Sequence, residues 1–301
     1  MRRAAFVVSW VLAQAGCLPA DTRPEPGSIV VTIEPSEGTR GGFESSDGWT
    51  VKIDRALTAM GSVDLDGDPD GDEESCNAYS DARYDWTLDL LAAKGDKLGL
   101  VYGLGRCSVE FRLRAPSDDT VLGAGVTADD VALLRSEGSD AYAQDQRVSL
   151  HVRGSAERGG ERFTFEWSFR RSYELDSCAD ASGDGYSSVL DLEGGAQREL
   201  SVVASVEELF RVAPTDDAPI ELDLFMAADA DESGDVTLEE LATVAAPPQQ
   251  EWVVVEEGEE DPFEEEGVPE TLADLVYVYN LPRIPRVKGG GPCEADLRDR
   301  R

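Results

Sequence analysis

The twelve residues from Asp229 to Glu240, DADESGDVTLEE, place an oxygen-bearing side chain at nearly every second position. Asp229, Asp231, Ser233, Asp235, Thr237 and Glu240 occupy positions 1, 3, 5, 7, 9 and 12 of this segment, with Gly234 at position 6. Carboxylate, hydroxyl and carbonyl oxygens are the ligands that hard divalent cations take. Acidity alone says little here, because the chain holds 62 Asp and Glu against 27 Lys and Arg, a formal charge of -35 over 301 residues. The residues that are not acidic carry more weight. Gly234 permits a sharp turn, Val236 at position 8 is apolar where the loop must pack on its supports, and Phe225 precedes the loop by four residues, where an entering helix needs a core contact.

Two helical segments must hold such a loop. In IELDLFMAA, the residues Leu222, Phe225 and Met226 fall on one side; in TLEELATV, Leu238, Leu241 and Val244 do the same. Pro247 and Pro248 end the unit. Over about residues 219 to 245 the segment resembles the EF-hand family. That resemblance implies Ca2+ as the bound ion, held by Asp229, Asp231, Ser233 and Thr237, by the backbone carbonyl of Asp235, and by both carboxylate oxygens of Glu240. Ser233 stands where the family pattern has Asp or Asn, a neutral ligand that lowers affinity without changing geometry. Such hands usually pair, and the sequence has no second full copy. A lone hand outside the cytosol implies a weak structural site, with a dissociation constant of roughly 10⁻⁴ to 10⁻³ M. Two partial echoes, DGDPDGDEESCN from Asp66 and DASGDGYSSVLD from Asp180, read as solvated loops. The first contains Pro69 and ends on Asn77, and the second has Ser187 where an apolar residue is expected.

The rest of the chain supplies the setting. MRRAAFVVSWVLAQAGC joins a basic start to a short apolar run and small residues before Cys17, which reads as a secretory signal over 1–16. It resembles a bacterial lipoprotein signal, although Gln14 stands where that family usually has Leu. The resemblance implies lipidation of Cys17, a location on the bacterial envelope and membrane attachment through the lipid alone. Residues 17–27 then form a Pro-rich tether. Export places Cys76, Cys107, Cys178 and Cys293 in an oxidising compartment, where an even number reads as two disulfides. Of three connectivities, Cys76 with Cys107 and Cys178 with Cys293 is favoured, since the first pair brackets a strand-rich segment and the second ties the tail to the body.

Residues 28–212 carry the alternation of strands and are expected to form an antiparallel β-sandwich. The clearest hairpin is RVSLHVRGSAERGGERFTFEWSF, with Val148, Leu150 and Val152 on one face and Ser149, His151 and Arg153 on the wet one. TADDVALLRSEG, capped by Thr127, is a short helix between strands. The overall fold class expected is mainly β, with a small helical EF-hand-like unit at 213–250. Residues 251–301 complete it as an acidic linker, a short amphipathic helix at PETLADLVYVYNL and a polar tail. Net negative charge excludes nucleic acid and anionic lipid surfaces as partners. Nucleophile elbows, phosphate loops and zinc-protease motifs are absent, so a non-catalytic protein is expected; a carbohydrate-active enzyme with a carboxylate pair, or an adhesin docking a protein partner, are the alternatives.

Overall fold

The computed structural model describes residues 24–71, 73–248 and 269–297. The signal segment, Cys17 and most of the acidic linker lie outside these residues. The chain is mainly β, with 44% strand against 15% helix. In chain order the strands are β1 (Gly27–Pro35), β2 (Phe43–Glu44), β3 (Thr50–Asp66), β4 (Cys76–Ser80), β5 (Ala82–Asp89), β6 (Asp96–Arg114), β7 (Val121–Leu122), β8 (Leu150–Arg158) and β9 (Glu161–Phe169). They continue with β10 (Tyr173–Asp176), β11 (Val189–Leu192), β12 (Gln197–Ala204), β13 (Asp235–Val236), β14 (Pro285–Val287) and β15 (Glu294–Leu297). All join one large curled sheet whose main path runs β13-β9-β8-β3-β6-β1-β12-β14.

Two long strands organise it. β3 spans 17 residues and β6 spans 19, far beyond the usual five or six, and each serves different neighbours at its two ends. β3 pairs β8 through Thr50–Thr58 and β6 through Ala59–Asp66, while β6 pairs β1 at its start and β10 near its end. The sequence reads β6 as two strands, KLGLVYGL and CSVEFRLRAP, yet the ladder runs through. Gly105 makes that continuity feasible: it sits at φ 98°, and a Cβ there would stand 2.1 Å from the Ser75 carbonyl oxygen. Pairing is also less uniform than the antiparallel expectation, because β1 with β12, β5 with β7 and β9 with β13 run parallel.

The β8–β9 hairpin forms in the expected register, from Leu150 opposite Phe169 to Arg158 opposite Glu161. Its inner face buries Phe163, Phe165, Trp167 and Phe169. Its outer face is not the wet one expected. His151 is only 3% exposed and Ser149 is fully buried, and only Arg153 of the three points to solvent. The reason is the helix α2 (Ala128–Leu134), where Leu134 packs with Val148 and Leu57, the cross-strand neighbour of His151. The alternation of a hairpin reports only its own two faces, and a distant helix can cover the second. His151 Nδ1 lies 3.0 Å from Ser168 Oγ, and burial lowers its pKa against the pull of Glu166. The helix itself starts as read, with Thr127 and Asp130 forming a reciprocal capping box.

The C-terminal segment is structural, not a tail. Residues 272–283 form α5 (Leu272–Asp274), a π-helical turn and a 3-10 turn. Leu272, Leu275, Val276, Tyr277 and Leu281 are all fully buried, so the expected amphipathic helix is wrapped on most sides. β14 then pairs β12, and β15 pairs β10. Both disulfides pair as favoured: Cys76 with Cys107, and Cys178 with Cys293. Two disulfides fit an oxidising, exported setting, and no described helix is long and apolar enough to cross a membrane.

The outer face of β3, β6, β10 and β15 gathers like charges. Asp64 faces Glu110 across one ladder, and Asp176 faces Glu294 across another. Burial first, then Asp66, Glu174, Asp176 and Asp64, push the Glu110 carboxyl up to about 7. A raised carboxyl pKa means that the folded state holds a proton the unfolded state releases, so stability falls as pH rises from about 4.5 to about 7. Glu110→Gln should therefore melt higher than the parent protein at pH 8 and equal to it near pH 4. A melting curve showing the same difference at both pH values defeats this expectation.

Candidate metal centre

The loop 229–240 is fixed at its entrance by residues far away in sequence. Asp47 Oδ2 accepts from the amides of Leu222 and Asp223 at 2.8 and 2.7 Å, holding the start of α3 (Asp223–Met226). Asp223 Oδ1 takes Trp49 Nε1 at 3.0 Å and the Arg158 guanidinium at 2.6 Å. Phe225 and Leu222 are fully buried, and Phe225 stacks on Trp167 with ring centroids 5.9 Å apart. On the exit side, Thr237 and Glu240 make a capping box for α4 (Leu238–Leu241), and Leu241 is fully buried. Met226, Leu238 and Val244 pack partly buried on the same core, so the helical unit shares one core with the sheet.

Between these helices the chain folds inward. Asp229 takes the Gly234 amide on Oδ2 and the Ser233 amide on Oδ1, each at 2.9 Å, and Asp231 Oδ1 takes the Ser233 amide at 2.9 Å. Gly234 adopts φ 78°, the left-handed turn that its place in the pattern requires. Hydrogen bonds from Ser233 hold the Asp231 carboxyl below the usual range, so it is ionised at neutral pH. Ligand oxygens of Asp229, Asp231 and Glu240 all lie within 4.8 Å of one another. Among the described residues this is the one such group of three or more acidic, His or Cys side chains.

The remaining three residues of the pattern have distinct places. Ser233 Oγ donates to the Asp235 carbonyl at 3.2 Å and lies 3.5 Å from Asp229 Oδ1. The Asp235 carboxylate accepts from the Thr164 hydroxyl on β9, while its carbonyl accepts from Ser233 Oγ within the loop. Thr237 donates its amide and hydroxyl to Glu240 Oε2, both at 2.9 Å. An all-oxygen donor set with three carboxylates suits a hard divalent cation, and calcium tolerates the mixed ligands and irregular geometry better than magnesium.

The loop also joins the sheet. β13, its positions 7 and 8, pairs parallel with Thr164 and Phe165 of β9. The Thr164 amide donates to the Gly234 carbonyl at 2.7 Å, and Trp167 Nε1 donates to the Val236 carbonyl at 2.9 Å. Val236 is 1% exposed. Sequence reasoning missed Asp47, Thr164 and Trp167 as supports of the loop; Trp167 carried a signal, as an indole on a buried face needs an acceptor for its N–H.

Among the described residues, the two partial echoes gather no comparable group. Asp68 is buried against Arg106, and Asp180 Oδ1 closes on its own loop through the amides of Ser182 and Gly183. No family model, curated protein or solved structure matches the chain.

Proposed function

We propose that the chain is a non-catalytic, calcium-binding envelope lipoprotein, with the ion in the 229–240 loop acting as a structural clip. The observation that carries it is the convergence of Asp229, Asp231 and Glu240 oxygens within 4.8 Å on a loop pinned to the sheet. Three carboxylates so close repel one another, and a divalent cation converts that repulsion into attraction. Asp229, Asp231, Ser233 and Glu240 would hold the ion by side chains and Asp235 by its carbonyl; Thr237, at the helix start, would complete the set directly or through water.

Weak affinity suits the role. If free calcium stands at ten times the dissociation constant, the folded state gains about 1.4 kcal/mol. Glu240→Gln removes one carboxylate and should weaken calcium binding at least about tenfold, as one lost charged ligand is worth more than about 1.4 kcal/mol. Calorimetric titration of the soluble chain from residue 21 reads this directly; no calcium heat in the parent, or an unchanged isotherm in the variant, would refute the site. Attachment is a separate question. Cys17→Ser should move the protein from the membrane pellet to the soluble fraction, and a variant that still sediments with membranes contradicts lipid anchoring.

A further inference from the structure

β3 does not pass straight between β5 and β6. Its register slips between Gly61 and Val63 against β5, and between Gly61 and Asp64 against β6, so that residues 61–64 bulge from the ladder. Ser62 within the bulge adopts φ 48°, a left-handed conformation that costs a residue bearing a Cβ on the order of 1 kcal/mol. It is held there by its hydroxyl, which donates to Asp85 Oδ1 at 2.7 Å. Strain of this kind persists where the surroundings impose it, and it concentrates at binding sites.

A cavity of about 360 Å³ opens on this bulge, lined by Ser62, Asp64, Asp81, Arg83, Arg112 and Arg114 among others. Three guanidinium groups around one cavity are unusual in a chain with 27 basic and 62 acidic residues. Each is held from one side only. Arg112 gives Nε and Nη2 to Glu174 Oε1 at 3.0 and 2.7 Å, Arg114 makes an ion pair with the buried Asp85, Nε to Oδ2 3.2 Å, and Arg83 gives Nε to Asp81. Among the described residues, Arg112 Nη1 and both Nη atoms of Arg114 and Arg83 have no protein acceptor. Asp64 accepts the Leu65 amide on Oδ1 at 2.8 Å and keeps its other oxygen for a donor.

Donors shaped for a carboxylate thus stand beside an acceptor shaped for an ammonium. The protein's field of -35 opposes the approach of a bare anion but not of a molecule with no net charge. We propose that this cavity binds a small α-amino carboxylate, its carboxylate on Arg112 and Arg114 and its ammonium on Asp64. Asp85 is a positioning residue, fixing Arg114 from behind. The cavity is separate from the calcium loop, and nothing in the assignment depends on the metal.

The test uses the full chain with its disulfides intact. Each standard L-amino acid is screened by thermal shift, and the best binder is titrated calorimetrically beside its des-amino and its decarboxylated analogues. The expected result is a binder that loses at least about tenfold in affinity, about 1.4 kcal/mol, when either charged group is deleted. Asp64→Asn and Arg114→Gln should each weaken it by a similar factor while leaving calcium binding unchanged. Arg114→Lys keeps a cation beside Asp85 while removing the fork, and serves if the Gln variant does not fold. The assignment is overturned if no amino acid raises the melting temperature, if the des-amino analogue binds as tightly as the amino acid, or if binding survives both substitutions.

Discussion

Replacing Cys178 and Cys293 by serine is expected to lower the unfolding free energy by roughly 4 to 5 kcal/mol. The bond closes a separation of 115 residues, and the entropy removed from the unfolded chain by a cross-link grows with the loop it closes. Cys76 with Cys107 closes only 31, and its loss should cost roughly 1 kcal/mol less on the same scaling. Topology adds to this. Cys293 immediately precedes β15, which is held by its pairing to β10, and β14 just upstream pairs β12. Without the cross-link, residues 285–297 rest mainly on short ladders of three and four residues. Urea denaturation of the two serine double variants reads the comparison; if the 31-residue pair proves the more costly, the ordering by loop length is wrong.

Trp167→Ala should cost about 3 to 5 kcal/mol, and it should also weaken the calcium binding proposed for the loop. Trp167 is fully buried and lies among Phe165, Phe210 and Phe225, with ring centroids 4.9, 5.4 and 5.9 Å away. Alanine there opens a cavity in the most aromatic part of the core. It also leaves the Val236 carbonyl without its indole donor, which adds about 1 to 3 kcal/mol to the local penalty. Trp167→Phe separates the two effects, since it keeps most of the packing and removes only the N–H. Calcium affinity should fall in both variants, because both loosen β13 on β9. Thermal melts with and without calcium measure this, and an unchanged calcium-induced shift in Trp167→Phe means the indole does not support the loop.

How much of this was legible in the sequence depended on distance along the chain. The hairpin register from Leu150 to Phe169 follows from alternation and from Gly159 and Gly160 at its turn, all within twenty residues. The convergence of Asp229, Asp231 and Glu240 was legible for the same reason, as these residues and the turn glycine Gly234 lie within twelve residues. The cysteine pairing was favoured by simple bracketing, and the same pairs form. What eluded the sequence was every long-range cover. His151 looked wet because nothing in its own strand announces that Leu134 and Val148 close over the second face. The C-terminal segment looked like a polar tail because strands of three and four residues carry too few positions for alternation to register. Asp47 gave no sign that it would hold two amides 175 and 176 residues away.

The parallel pairing of β13 with β9 also bears on how the protein meets other chains. β9 reads ERFTFEWSF, nine residues of alternating aromatics, and among the described residues a single two-residue strand lies along its outer flank. Unpaired backbone on an aromatic strand is a template on which other chains add and aggregate. A loop that stays shut over Thr164 and Phe165 keeps that template hidden. The ion proposed for the loop would then work as a guard against self-association: a molecule that lost it would keep most of its fold and become sticky along one edge.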